Sequence, residues 1–294
     1  MVPPRFFSVL AASVALLSAC TTAAPPRPAP SPRPTTSPRA TPAASTSCFV
    51  ALGDFGTAGA AQHEVARAME RWADAGHRVD AVVSTGDNVY PDGDPDRFGE
   101  AIDVPYARWR GSIWATLGNH DELGGHGPSQ LEHLGLPSLP YAERLQHVQL
   151  LFLDGNHPDQ AQARWLDREL AAPGPPFRVV VFHQPAWSCS THGSTPAVDR
   201  WWVPVFERHR VALVLNGHDH NYQRFASPGG VTYIVTGGGG APLYDLRPCR
   251  GTPPRVAAAV RHHFTAVEAT GRALTVTAVD SRGRTVDRTT IRAR

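Results

Sequence analysis

From residue 48 onward, short and almost unbroken apolar runs recur along the chain. Each closes on a polar loop carrying side chains able to bind a metal or a proton. Residues 48–52 lead into Gly53-Asp54-Phe55-Gly56, 80–84 into Thr85-Gly86-Asp87-Asn88-Val89-Tyr90, and 113–117 into Gly118-Asn119-His120-Asp121. Further along, 148–153 lead into Asp154-Gly155-Asn156, 178–182 into His183-Gln184-Pro185, and 211–215 into Asn216-Gly217-His218-Asp219-His220. The runs are continuous rather than alternating, which predicts strands covered on both faces. Between them, 61–75 sets Val65, Ala68, Met69 and Trp72 at helical spacing, and 159–170 does the same with Trp165, Leu166 and Leu170. After residue 231 the pattern changes to strand-like segments at 231–235, 263–268, 273–279 and 285–291, separated by Gly and Ser turns. The expected fold class is mixed α/β, with sheets inside and helices outside, and no internal repeat.

The first residues follow another pattern. Residues 1–20 combine an early arginine, an apolar stretch and small residues, which reads as a secretory signal too short to span a bilayer. Its end, Leu17-Ser18-Ala19-Cys20, resembles the bacterial lipobox, which implies lipidation at Cys20 and an extracytoplasmic, membrane-tethered or secreted protein. Residues 21–46 hold Pro, Ala, Ser, Thr and Arg without a large apolar side chain, the composition of an extended spacer. Residues 47–294 remain for one large domain. The formal charge is only +2 and the domain holds no basic run, so no nucleic-acid track is expected. Of the cysteines after Cys20, Cys189 and Cys249 both fall in loops following strand-like runs, and that pair is the favoured disulfide over any with Cys48.

An aspartate in a glycine turn is ordinarily a turn residue, and one histidine at a strand end is ordinarily structural. Five strand-end loops bearing Asp, Asp with Tyr, Asn with His, His, and His with His carry more meaning together. Hard oxygen donors beside imidazoles suit first-row ions such as iron, manganese or zinc. Two such ions roughly 3.5–4 Å apart can clamp the attacking and leaving oxygens of a displacement at phosphorus.

The ordered set Gly53-Asp54-Phe55-Gly56, Gly86-Asp87-Asn88-Val89-Tyr90, Gly118-Asn119-His120-Asp121, His183-Gln184-Pro185 and Gly217-His218-Asp219-His220 resembles the calcineurin-like metallophosphoesterase superfamily. Within it, the Tyr90 loop and the stretch 217–224 are similar to purple acid phosphatases of the small, tartrate-resistant type. The resemblance implies a four-layer αββα sandwich of two mixed β-sheets flanked by helices. It implies two metal ions, Fe(III) plus a divalent Fe, Zn or Mn, with Asp54, Tyr90 and His220 on one, Asn119, His183 and His218 on the other, and Asp87 between them. The substrate implied is a small phosphate monoester attacked by a metal-bound hydroxide. His120 takes the electrostatic or acid role, and His192 resembles the group's second active-site histidine. Asp121 reads as an orienting carboxylate, and Gly237–Gly240 as a tight backbone passage, since it lacks the Lys-Ser/Thr of a phosphate-cradling loop. His126 and His133 have no counterpart in the pattern. Two other readings stay open: a phosphodiesterase or nucleotidase of the same superfamily, and a non-catalytic cell-surface binding protein.

Overall fold

The structure, a computed structural model, describes residues 46–294 apart from Pro228. The expected signal segment 1–20 with Cys20, and the spacer up to residue 45, lie outside the described residues. In chain order the elements are β1 (Ser47–Leu52), α1 (Ala60–Asp74), β2 (Ala81–Ser84), β3 (Ile113–Ala115), α2 (Asn119–Glu122), α3 (Gly127–His133), β4 (Tyr141–Arg144) and β5 (Val148–Phe152). They continue with α4 (Gln160–Ala171), β6 (Phe177–Val181), α5 (Pro196–Trp201), α6 (Val203–Arg208), β7 (Leu213–Asn216), β8 (Tyr222–Ala226) and β9 (Thr232–Thr236). The last four strands are β10 (Arg255–Ala259), β11 (His263–Ala269), β12 (Ala273–Asp280) and β13 (Thr285–Arg292).

These strands form two mixed sheets, ordered β13-β12-β11-β1-β2-β3 and β10-β8-β9-β7-β6-β5-β4. The parallel part of the first is β1, β2 and β3; that of the second is β5, β6, β7 and β9. Successive side chains of a strand point to opposite faces, and β1 shows what that does here. Phe49 and Ala51 enter an inner core with Val83, Leu150, Val179, Leu213 and Val276 from both sheets. Val50 and Leu52 face outward onto Val65, Ala68 and Met69 of α1. On the other sheet, Leu151, Val180 and Val214 turn outward onto Leu166 of α4 and Trp202 and Phe206 around α5 and α6. The result is the expected αββα sandwich. Burying each large side chain is worth about 1.5–3 kcal/mol, so both outer cores hold their helices firmly.

Several elements differ from the sequence pattern. The run 113–117 is a strand only to Ala115, because Thr116 and Leu117 already turn toward the loop at its end. β4, β8 and β10 carry polar or small residues and were invisible as apolar runs. The helix read over 159–170 begins one residue later, with the Asp159 carboxylate capping it by accepting from the Gln162 N–H at 2.8 Å. Cys189 and Cys249 are joined, closing a loop across a separation of 60 residues, and Cys48 is free and buried.

The sheets are tied near one edge by a buried polar bridge. Thr236 Oγ1 of β9 lies 3.1 Å from His263 Nε2 and 2.9 Å from Thr265 Oγ1 of β11. Burial lowers the His263 pKa to about 4, so the folded chain keeps this imidazole neutral while the unfolded chain protonates it near 6.5. The stability that this group contributes is whole above pH 6.5 and is lost as pH falls toward 4, about 3 kcal/mol over that window. Urea unfolding at stepped pH should show that decline, and a His263→Gln chain should show a shallower one. An unchanged slope in the variant would remove His263 as its source.

Candidate metal centre

All the candidate ligands follow the C-terminal ends of parallel strands, the edge where open α/β sheets bind ligands. Asp54 follows β1, Asp87 and Tyr90 follow β2, and Asn119 and His120 follow β3. His183 follows β6 of the other sheet, and His218 and His220 follow β7. The centre is therefore assembled from both sheets. Asp54, Asp87 and His218 hold positive φ values of 57°, 53° and 70°. Such backbone costs on the order of 1–3 kcal/mol per residue and persists where surrounding structure enforces it.

The side chains meet in two groups that share Asp87. In the first, His220 Nε2 lies 3.3 Å from Asp54 Oδ1 and 3.2 Å from the Tyr90 hydroxyl, which donates to Asp87 Oδ2 at 2.9 Å. In the second, His183 Nε2 lies 3.4 Å from Asp87 Oδ2 and 3.2 Å from His218 Nδ1. Asn119 Oδ1 is buried without a hydrogen-bond partner. His218 contacts His183, and His220 contacts Asp54 and Tyr90.

Hydrogen bonds on the far side of the rings decide what the centre is offered. A carbonyl only accepts, so His183 Nδ1 at 2.9 Å from Thr85 O and His220 Nδ1 at 2.7 Å from Pro242 O must carry protons. In the neutral imidazole both Nε2 lone pairs then point inward. Together with two carboxylates, the orphaned Asn119 oxygen and a phenol, this makes an inward-facing set of acceptors that suits cations.

Electrostatics agree with that surplus. Burial pushes Asp54 above the usual carboxylate range despite His220 and His183. Burial also acts to raise Asp87, but His183 and His120 outweigh it and hold the carboxyl well below that range. Burial and then the Asp54 and Asp87 charges push the Tyr90 phenol far up. Burial acts to lower His183, but Asp87 and Asp54 outweigh it and raise it to about 9, so without a cation this ring takes up a proton, and burial with that charge lowers His218 to about 2.

A family model described as calcineurin-like phosphoesterase matches residues 49–222, more than half of the chain and the whole span of these loops. The chain belongs to the calcineurin-like phosphoesterase family. Among curated relatives, tartrate-resistant acid phosphatase type 5 of Rattus norvegicus is 28% identical, covering 84% of this chain and 91% of that one. The human protein of the same name is 27% identical over 82% of this chain and 89% of its own. Among solved structures, purple acid phosphatase PPD1 of yellow lupin superposes with a TM-score of 0.74 at 16% identity, covering 85% of this chain and 54% of that one. GAP50, titled the anchor in the inner membrane complex of Plasmodium, superposes with a TM-score of 0.72 at 18% identity, covering 85% and 89%. This phosphoesterase is thus an enzyme of the metallophosphoesterase class, and its purple acid phosphatase relatives imply a dinuclear metal centre.

Two histidines flank the donors of the phosphoesterase. His120 donates from Nδ1 to Pro91 O at 2.6 Å, and its ring lies 4.5 Å from that of Tyr90. On the opposite side the exposed His192 lies with its ring 4.0 Å from that of His218. Asp121 behaves as an orienting carboxylate. It accepts from the N–H groups of Gly118, Asn88 and Val89 at 2.8–3.1 Å and from Gln130 Nε2 at 3.0 Å, joining the loops after β2 and β3. Burial and then Asp87 raise it to about 7. His133 turns to Asp103 at 3.1 Å, and no described contact brings His126 or His133 to the centre. Tyr244 went unnoticed in the sequence, although its ring stacks on His220 at 4.0 Å. The one signal was an aromatic just beyond the Gly237–Gly240 passage, whose backbone runs so close that a Cβ on Gly237 would sit 2.7 Å from Asp54 Oδ2.

Gly118 exposes the tolerance of the centre most directly. A Cβ there would meet Asp87 Oδ1 at 2.1 Å and the Asp87 N at 2.3 Å. Gly118→Ala should displace Asp87 and lower bound metal, read by elemental analysis, by a factor within the roughly 10–100-fold range of losing an outer support. Undiminished metal content would show that the loop after β3 yields freely.

Proposed function

We propose that this chain is an extracytoplasmic, tethered phosphomonoesterase with a ferric–divalent centre. On this reading Asp54, Tyr90 and His220 ligate the first ion, Asn119, His183 and His218 the second, and Asp87 both. The observation that carries the reading is Asp87 Oδ2, in contact with the Tyr90 hydroxyl on one side and His183 on the other. The orphaned Asn119 oxygen supports it, because a buried amide oxygen ordinarily finds a donor or a cation. Phosphomonoester hydrolysis draws support from relatives named acid phosphatases that the chain covers nearly end to end. Iron draws support from the phenol oxygen, a hard donor. Tethering rests on the lipobox-like end at Cys20 and the Pro-rich stretch after it. No helix among the described residues is long and apolar enough to cross a membrane.

When bound, the two ions would supply charge for the phosphoryl oxygens and a water acidic enough to act near neutral pH. The chain supplies the rest. With Nδ1–H committed to Pro91 O, His120 leaves Nε2 for the cleft, where in the charged form it donates a proton to the departing oxygen. His192, on the His218 side, holds the phosphate or ester group from the opposite flank. The buried walls around Asp54 and Asp87 exclude bulk water from the reacting atoms.

The concentrated protein should be coloured, contain iron, and lose the colour in Tyr90→Phe. Asp87→Asn should cost more than the roughly 10–100-fold expected for an outer partner. Side-by-side turnover of p-nitrophenyl phosphate and bis(p-nitrophenyl) phosphate should favour the monoester. A colourless, iron-free but active enzyme would overturn the ferric assignment, and diester preference would overturn the monoesterase.

A further inference from the structure

The stretch from Asp219 to Gln223, which starts between the two histidines and runs into β8, has work beyond joining two strands. Asp219 is fully buried, and no arginine or histidine is paired with its carboxylate among the described ion pairs. Its contacts come from one short loop instead. Asp219 Oδ2 accepts from Ser188 Oγ at 2.5 Å and from the Gly193 N–H at 3.2 Å, and Oδ1 accepts from the His192 N–H at 2.9 Å. Two residues on, Asn221 Nδ2 donates to Ser190 Oγ at 2.8 Å and to Tyr244 O at 3.1 Å. Two further on, Gln223 Nε2 donates to Ser188 Oγ at 2.8 Å while its Oε1 accepts from the Cys189 N–H at 2.8 Å. All three side chains are buried, and the tight turns over 217–221, in which the Asp219 N–H donates to Gly217 O and the Asn221 N–H to Asp219 O, bring them to the same neighbouring loop.

A buried carboxylate is tolerable only when fully hydrogen-bonded, and charge-assisted bonds are the strong ones. Asp219 and the 188–194 loop therefore need each other. The loop carries His192, which is exposed and would otherwise move freely. With the backbone N–H groups of His192 and Gly193 fixed, its ring lies 4.0 Å from that of His218 and 5.4 Å from that of Tyr244. Tyr244 is fixed by the same row: Asn221 holds its carbonyl, its N–H donates to His220 O at 3.1 Å, and Cys249 in its loop is joined to Cys189.

We infer that Asp219 is a positioning residue, its carboxylate holding the 188–194 loop so that His192 faces the centre. Asn221 extends the same clamp to the Tyr244 loop, and Gln223 strengthens it at Ser188 and Cys189. The inference rests on the phosphatase reading above only for the step from His192's place to turnover; the placement itself stands on the hydrogen bonds.

The test therefore separates place from chemistry. In protein with ¹³C-labelled histidine, metal-free and loaded with diamagnetic zinc, the His192 Cε1–H resonance should carry ring-current shifts from His218 and Tyr244. Asp219→Asn should move it toward the position of a free histidine, and Ser188→Ala, which removes one of the three bonds, should move it less. Both variants should retain metal, and Asp219→Asn should cut kcat/KM about tenfold, within what misplacing a group by an ångström costs. On a His192→Ala background the further effect of Asp219→Asn should fall below about twofold, the non-additivity of residues acting as a unit. An unmoved resonance in Asp219→Asn overturns the positioning role, as do losses from Asp219→Asn and His192→Ala that simply multiply. A moved resonance with unchanged turnover in both Asp219→Asn and His192→Ala upholds the clamp and overturns the catalytic part assigned to His192. Should Asp219→Asn fail to fold, Ser188→Ala carries the same comparison alone.

Discussion

The centre depends on one constraint: two carboxylates, three imidazoles, an amide oxygen and a phenol are gathered with more acceptors than donors to satisfy them. Asp87 sits at the middle, touching Tyr90 and His183 through one oxygen and accepting the His120 N–H at 2.9 Å through the other. Groups so arranged would drift apart in a soft protein. They are held because each stands one short loop beyond a largely buried strand, and because carbonyls behind the rings of His183 and His220 fix which nitrogen faces inward. The strained backbone at Asp54, Asp87 and His218 is the local cost of that convergence, set against the packing of three hydrophobic cores.

Much of this was legible from apolar runs ending in Asp, Asn and His. A strand covered on both faces advertises itself, so β1, β2, β5, β6 and β7 were visible, and the apolar run holding β3 as well, and with them every loop of the centre. What escaped notice follows from the same physics. β10 alternates half-buried and exposed residues and β8 mixes Gln and Arg with aromatics, so neither contrasts with its surroundings. The short helices α5 and α6 meet at Trp202, whose ring packs edge-on against Phe182 from a distant part of the chain. Nothing within a helical window shows that partnership.

The supports of the centre were harder to read than the centre. Asp121 could be named as an orienting group because it adjoins Asn119 and His120. Gln130, which shares that brace, sits in the short helix α3 within a polar stretch, and only the folded chain reveals that it is fully buried. Tyr244 likewise acquires meaning from its stacking on His220 rather than from its neighbours in sequence. A ligand type has chemical identity wherever it falls, whereas a support is defined by what it touches.

The stretch from His218 to Gln223 alternates between two tasks: His218 and His220 face the centre, and Asp219, Asn221 and Gln223 grip the loops beside it. The tight turns over 217–221, where the Asp219 N–H donates to Gly217 O and the Asn221 N–H to Asp219 O, set that alternation. Exchanging one side chain for another alters a single contact and leaves the phase intact. Inserting or deleting one residue would break those turns and uncouple the imidazoles from the side chains that hold the loops beside them. Length, more than the identity of any one residue, is what this segment has to preserve among variants of the chain.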